Sequence, residues 1–133
     1  MKALVIDDSR AMRRILTRIV EELGMTVTEA QNGEEGISQL RKLDGAEVVL
    51  VDWNMPVMTG IEFVKRVRQD ETFGHQKIIM VTTETEPKQM ARALLAGVDE
   101  YVMKPFDTAI LVEKLRLIGV STGSSQSNSA KGD

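Results

Sequence analysis

The segment Ala-Leu-Val-Ile-Asp-Asp-Ser at residues 3–9 joins a continuous apolar run to two acidic residues and a serine. An apolar run without alternation is typical of a parallel strand that is covered on both faces. Ser9 or Asp8 can cap a helix directly after it. That helix is predicted from apolar residues that recur at steps of three and four, namely Met12, Ile15, Leu16, Ile19, Val20 and Leu23. The segment therefore predicts a strand followed by a helix.

The same order of strand and helix recurs along the rest of the chain. Further strands are predicted at residues 25–30, 48–51, 78–81 and 101–103, and a stretch with helical spacing follows each of them. Pro87 suits the first turn of the fourth helix, and Gly97 suits its end. Strands that alternate with helices indicate an α/β fold, with a parallel sheet, right-handed crossovers and helices on both faces.

Composition excludes several classes of function. The chain has 133 residues, no Cys, one His and a formal net charge of −3. A disulfide scaffold, a thiol nucleophile and a multi-histidine metal site are therefore excluded. The acidic balance argues against nucleic-acid binding, and no stretch approaches the ~20 apolar residues of a membrane span. We expect a cytoplasmic protein, monomeric, with no nucleic-acid or membrane partner.

The last part of the chain differs in composition from the rest. Residues 119–133 are rich in Ser, Gly and Asn, and no large apolar residue follows Val120. We expect residues 1–118 to form one domain and residues 119–133 to form a flexible polar tail, with no output domain.

Polar residues follow four of the predicted strands. Asp7 and Asp8 follow the first strand, Asp52 the third, Thr82 the fourth and Lys104 the fifth. Because the carboxyl ends of parallel strands share one edge of the sheet, these side chains should converge there. Three carboxylates in one pocket need either raised pKa values or a cation, and an all-oxygen site without His or Cys suits Mg²⁺. Carboxylates are also known nucleophiles toward phosphoryl groups.

Each of these residues also has a purely structural interpretation. Asp7 and Asp8 could cap the first helix, a threonine at a strand end is commonly structural, and a lysine before a proline is commonly a solvated turn residue. Asp52 is harder to explain in this way, because it directly follows a four-residue apolar strand. The pattern is specific because polar residues follow the first, third, fourth and fifth predicted strands in this order along the chain.

The chain resembles the receiver domain of two-component response regulators, and in particular the single-domain chemotaxis regulators. The resemblance covers roughly residues 2–118 and is carried by the stretches VIDDS at 5–9, MRR at 12–14, DWNMP at 52–56, MVT at 80–82 and YVMKPF at 101–106. It implies a flavodoxin-like doubly wound (βα)5 fold whose five parallel strands lie in the order 2-1-3-4-5.

The resemblance implies a role for each residue at the sheet edge. Asp52 is the phosphoacceptor, which takes a phosphoryl group from a sensor histidine kinase or a phosphotransfer protein. Asp8, Asp52 and the backbone carbonyl of Asn54 are implied Mg²⁺ ligands, and Asp7 acts through a metal-bound water. Lys104 pairs with the phosphoryl oxygens.

The peptide bond between Lys104 and Pro105 is implied to be cis, which is a minority state for such bonds.

A switch pair is also implied. On phosphorylation the Thr82 hydroxyl is drawn toward the phosphoryl group, and the Tyr101 ring turns from an exposed to a buried position. Asn54 and Glu84 correspond to the positions that tune self-hydrolysis. Thr83 stands where a smaller residue is common in the family, and its bulk is expected to slow the attack of water.

The implied output is phosphorylation-dependent binding to a target protein such as the flagellar motor switch. Met90, Tyr101 and Lys114 form the candidate partner surface, and a phosphatase is a further candidate partner. A phosphorelay intermediate or a phosphate sink for another regulator is the alternative within this class. Arg10, Arg13, Arg14 and Arg18 form either a solvated basic face or a docking surface for an acidic kinase.

Two other classes of protein remain as competing interpretations. A small Mg²⁺-dependent phosphatase with an aspartate nucleophile would carry a D-x-D pair after the first strand, whereas Asp7 and Asp8 are adjacent. A flavodoxin-like cofactor binder would carry a phosphate-binding loop there, and these carboxylates would repel a phosphate.

Overall fold

Five strands and five helices alternate in residues 1–120, which are the residues described by the computed structural model. The strands are β1 Lys2–Ile6, β2 Thr26–Ala30, β3 Val48–Val51, β4 Ile78–Thr82 and β5 Glu100–Met103. The helices are α1 Arg10–Glu22, α2 Gly33–Leu43, α3 Gly60–Gln69, α4 Pro87–Ala96 and α5 Thr108–Leu117. The predicted alternation is confirmed. Across residues 1–120, no helix combines the length and the apolar character needed to cross a membrane.

The strands form one parallel sheet in the order β2-β1-β3-β4-β5. This is the predicted flavodoxin-like doubly wound fold. The strand order reverses at β1, which has β2 on one side and β3 on the other. Ligand sites in such sheets lie outside the carboxyl ends of the strands at the point of reversal. Ile6 of β1 is in register with Val51 of β3, so the residues that follow them emerge side by side.

Each face of the sheet carries its own hydrophobic cluster. Leu4 and Ile6 pack with residues of α2, α3 and α4, whereas Ala3 and Val5 pack with residues of α1 and α5. Successive side chains of a strand point to opposite faces, and both faces are covered here. This is why the strands are continuously apolar.

The start of α1 decides between two capping residues. The Ser9 hydroxyl accepts a hydrogen bond from the Met12 N–H at 3.2 Å and is the N-cap of the helix. Asp8 is exposed and is not the cap. The purely structural interpretation of Asp8 as a helix cap is therefore wrong.

The C-terminal boundary of the fold lies beyond residue 118. Gly119 adopts a positive φ of 86° after α5, and the N–H of Val120 donates to the Leu115 carbonyl at 2.9 Å. Val120 is 2% exposed and packs with the α1 and α5 cluster. The prediction of a flexible tail is wrong for residues 119 and 120, because this apolar residue completes the core. The rest of that prediction, residues 121–133, lies outside the described residues.

Candidate functional site

Three aspartates meet at the carboxyl edge of the sheet. Asp7 follows β1, Asp52 follows β3, and the Asp52 N–H donates to the Ile6 carbonyl at 3.0 Å. One carboxylate oxygen from each of Asp7, Asp8 and Asp52 lies within 4.8 Å of the others. Asp7 is 1% exposed and Asp52 is 8% exposed, whereas Asp8 is open to solvent. The structure thus forms a half-buried acidic cluster with one side open to solvent.

Lys104 supplies the positive charge of the cluster. Its Nζ lies 2.8 Å from Asp7 Oδ2 and 3.3 Å from Asp52 Oδ2. The chain is held in place by the Lys104 N–H, which donates to the Thr82 carbonyl at 2.8 Å. The Lys104–Pro105 peptide bond is cis, as the resemblance implies. A long-range contact thereby connects the end of β5 with the ends of β1 and β3.

Asp52 is held through its carboxylate by its own turn and through its backbone carbonyl by α3. Its Oδ1 accepts a hydrogen bond from the Trp53 N–H at 2.7 Å. Gly60, the first residue of α3, packs directly on the Asp52 carbonyl, and a Cβ at this glycine would lie 2.1 Å from that oxygen. Only glycine allows the helix to begin this close to Asp52.

Burial raises the pKa of the Asp7 carboxyl above its ordinary value. The Lys104 ammonium and the Ser9 N–H, which donates to Asp7 Oδ1 at 2.9 Å, act in the opposite direction, but desolvation dominates. Since the folded chain holds this proton more tightly than the unfolded chain, the contribution of Asp7 to stability is lost as pH rises through its folded-state pKa. At neutral pH Asp7 therefore stabilises the fold less than it does at acidic pH, unless a further cation binds.

The donor set is suited to a hard divalent cation. All three side chains offer carboxylate oxygens, and the exposed Asp8 leaves a route for an ion that keeps some of its water. Asn54 lies two residues after Asp52 in the exposed part of the β3–α3 loop, and its role as a carbonyl ligand stays a prediction.

Replacing Asp7 with Asn should change stability and metal affinity in opposite directions. In EDTA at neutral pH we expect a higher melting temperature, because a buried charge that costs free energy is removed. The Mg²⁺ affinity should fall by about 10- to 100-fold, the usual effect of losing an outer-shell carboxylate. Thermal melts and a Mg²⁺ titration measure the two effects.

Asp107→Asn is the matched control for Asp7→Asn. Asp107 is the N-cap of α5, and Asn is as effective a helix cap as Asp. A lower melting temperature in EDTA, or an unchanged Mg²⁺ affinity, would contradict the assignment of Asp7.

The predicted switch pair lies beside the acidic cluster. Thr82 is fully buried at the end of β4, and its hydroxyl is 3.4 Å from the Glu84 N–H. The Tyr101 ring is 7% exposed, and its hydroxyl donates to the Glu84 carbonyl at 2.8 Å. The structure thus has the tyrosine in the buried position of the two that the resemblance implies.

Burial raises the pKa of the Tyr101 phenol to about 12, with the negative charges of Glu84 and Asp52 adding to the effect. Because the folded-state pKa is raised, the contribution of Tyr101 to folding stability is fully present below pH ~10 and is lost as pH rises toward 12. Because Tyr101 is the only tyrosine, an absorbance titration of the native protein should show a single phenolate transition near 12. A midpoint near 10 would indicate an exposed ring. Tyr101→Phe, which has no phenol, gives the background absorbance.

The other predicted site residues lie around this centre. Thr83 is exposed at the rim of the site, and the backbone of Glu84 contacts both members of the switch pair. Met90 is half-buried and packs against the core, and Lys114 pairs with Glu100 at 3.1 Å. Their roles in dephosphorylation and partner binding stay predictions.

One contributor to the site was not predicted. Arg13 was assigned to the basic face of α1, but its side chain is only 12% exposed. It donates to the Asp7 carbonyl at 2.7 Å and to Glu29 at 3.1 Å, and Thr17 also donates to Glu29. The spacing of Arg13 and Thr17, one helical turn apart, was the available clue to a shared partner.

Comparison with known proteins identifies the family. The model of the response regulator receiver domain matches residues 3–116, and the chain belongs to this family. Its relatives include chemotaxis proteins. A CheY homolog of Campylobacter jejuni is 44% identical over 125 residues, which cover 92% of this chain and 96% of the relative. CheY-3 of Vibrio cholerae is 42% identical over 116 residues, which cover 86% and 88%.

Solved structures give the same result. The chain superposes on the CheY4 structure of Vibrio cholerae with a TM-score of 0.81 at 34% identity, over 87% of this chain and 96% of that one. The protein is therefore a CheY-like response regulator receiver domain, a class that is generally not a dedicated enzyme.

Proposed function

We propose that this chain is a phosphorylatable switch in chemotaxis, with Asp52 as the phosphoacceptor. The observation that carries the proposal is the cluster of Asp7, Asp8 and Asp52 beside Lys104 at the carboxyl edge of the sheet. Carboxylates around a nucleophilic aspartate can hold Mg²⁺, which supplies charge stabilisation to a transferring phosphoryl group when bound. The lysine offers a second cation for the same group.

The proposed reaction is a transfer to the chain's own side chain. An Asp52 oxygen attacks the phosphorus of a phosphohistidine on a sensor kinase or phosphotransfer protein. The new P–O bond forms as the P–N bond breaks, and the electron pair stays on the imidazole nitrogen, which takes up a proton from solvent water. Later a water attacks the phosphorus, the bond to Asp52 breaks, and phosphate leaves. Asn54, Thr83 and Glu84 are the residues proposed to tune that second step.

Lys104 has to change partners during the reaction. Its Nζ contacts Asp52 Oδ2 at 3.3 Å and Asp7 Oδ2 at 2.8 Å, so before transfer the two carboxylates share one positive charge. Once Asp52 carries a phosphoryl group, the ammonium gains oxygens of higher charge and pairs with them instead.

The output is a shift between two conformations of the surface formed by α4, β5 and α5. The phosphoryl group draws the Thr82 hydroxyl and stabilises the buried position of Tyr101, beside Met90 and Lys114. Phosphorylation acts only through its differential stabilisation of that state. Because named relatives are chemotaxis proteins, we propose the flagellar motor switch as the target, with phosphorylation in the cytoplasm.

A binding experiment tests this output. A motor-switch peptide is titrated with the protein in Mg²⁺ alone and in Mg²⁺ with beryllofluoride, which mimics the phosphoryl group. We expect at least about a fivefold tightening, which is typical of a coupled two-state protein. Asp52→Asn should show none. Equal affinities in the wild type would reject the motor switch as the target, and transfer onward to a phosphotransfer protein would then favour the relay alternative.

A further inference from the structure

Arg92 of α4 lies over the ring of Trp53. Its guanidinium carbon is 5.7 Å from the ring centroid, which is within the range of a cation–π interaction, and Trp is the strongest aromatic partner. Nη1 donates to Gln89 Oε1 at 2.8 Å, one turn earlier in the helix. Within residues 1–120 the guanidinium forms no ion pair with a carboxylate. The indole is therefore its main partner outside α4.

Trp53 is attached to the phosphoacceptor turn on both sides of its backbone. Its N–H donates to Asp52 Oδ1 at 2.7 Å, and its carbonyl accepts a hydrogen bond from the Gly60 N–H at 2.9 Å. The residue is 8% exposed. A change at the Asp52 carboxylate therefore acts directly on the residue whose ring Arg92 covers.

Helix α4 has few other attachments. Ala93 is its one fully buried residue, and the helix has no side-chain cap at its start. Leu94 and Leu95 on the same helix are 52% and 87% exposed. Elements with so few buried contacts are the ones that move at low cost. The single contact between Arg92 and the Trp53 ring can thus contribute strongly to the position of α4.

We propose that Arg92 is a positioning residue that couples α4 to the state of Asp52 through the Trp53 ring. The proposal rests on the proposed function, since it concerns the regulation of the same site. The contact is present in the conformation with Tyr101 buried, which is the state assigned above to the phosphorylated protein. It stabilises that state, and by linkage it strengthens the binding of a phosphoryl mimic at Asp52.

Trp53 is the only tryptophan, so its fluorescence reports on this contact directly. The protein is titrated with beryllofluoride in Mg²⁺, and the midpoint is read from Trp53 emission. In Arg92→Ala we expect the midpoint to rise about two- to fivefold, the effect of an exposed cation–π contact. Arg92→Lys should restore most of the wild-type midpoint. Arg92→Met, which keeps an apolar stem over the ring without the charge, should behave like Arg92→Ala.

Lys88→Met removes another exposed cation from α4 and is the matched control, with no change expected in the midpoint. Wild-type midpoints in both Arg92→Ala and Arg92→Met would overturn the proposal. So would a wild-type midpoint in Arg92→Met alone, because ring coverage rather than charge would then be responsible. A lower melting temperature without a shifted midpoint would reduce Arg92 to a structural role.

The response of the wild-type protein distinguishes a failure of this proposal from a failure of the proposed function. If wild-type protein gives no saturable response to beryllofluoride and Asp52 is not labelled by acetyl phosphate, both proposals fail. If the wild type responds and the Arg92 variants respond identically, only the coupling through Trp53 is overturned.

Discussion

Replacement of Asp52 by Asn should abolish covalent phosphoryl labelling while leaving the fold intact. The amide lacks the anionic oxygen that attacks phosphorus, and Asp7 cannot take its place because it is buried against Lys104. The amide oxygen can still accept the Trp53 N–H bond that holds the turn. Incubation with acetyl phosphate and Mg²⁺, followed by intact-mass measurement, gives the labelled fraction.

Asp107→Asn serves again as the matched Asp-to-Asn control and should be labelled like the wild type. The melting temperature of Asp52→Asn in EDTA should not fall, since one of three mutually repelling carboxylates becomes neutral. Persistent labelling in Asp52→Asn would refute the assignment of the phosphoacceptor. The melting curve shows whether a loss of labelling is caused by unfolding rather than by removal of the phosphoacceptor.

Replacement of Lys104 by Met should cause the largest loss of stability among the site variants. Lys104 is 10% exposed and pairs with Asp7, which is 1% exposed, so its removal leaves a buried carboxylate without its cation. Breaking such a pair costs about 3 kcal/mol of unfolding free energy. Denaturant unfolding in EDTA at neutral pH measures the loss.

The pH dependence of Lys104→Met follows from Asp7. Without the lysine, the hydrogen bond that lowers the Asp7 pKa is gone, so the pKa rises further above its ordinary value of 3.8. The folded chain then binds this proton more tightly than the unfolded chain, and stability is lost as pH rises through the raised pKa. The deficit relative to the wild type should therefore shrink at acidic pH and should also shrink on addition of Mg²⁺.

Lys114→Met is the matched control for Lys104→Met. Lys114 pairs with Glu100, and the two side chains are 31% and 26% exposed. Such a partly solvated pair contributes less than about 1 kcal/mol. Equal losses in the two variants would show that Lys104 has no special electrostatic role.

The positions of the site residues along the chain could be predicted, because they depend on strand ends. A parallel sheet brings the residues after its strands to one edge, so Asp7, Asp52, Thr82 and Lys104 had to converge whatever the details of packing. The three-aspartate cluster and the lysine contact have this origin. The strand order was predicted from the resemblance, since alternation alone does not determine which strands are neighbours.

Contacts between side chains of different elements could not be predicted from spacing. Arg13 belongs to the predicted basic face of α1 and no contact was predicted for Arg92, yet the first contacts the Asp7 carbonyl and the second covers the Trp53 ring. The partners are 6 and 39 residues away along the chain, and only the packing of α1 and α4 brings them together. The buried position of Tyr101 and the packing of Val120 in the α1 and α5 cluster are of the same kind.

The sequence by itself determined the alternating architecture and the chemistry at the sheet edge. Its apolar periods specify strands and helices locally, and the acidic and basic residues occupy strand ends by position alone. Tertiary structure decided which charges are buried, which lysine neutralises which aspartate and which ring is covered. Burial, desolvation and charge pairing depend on distances between segments far apart in the chain, and these distances exist only after the helices have packed on the sheet.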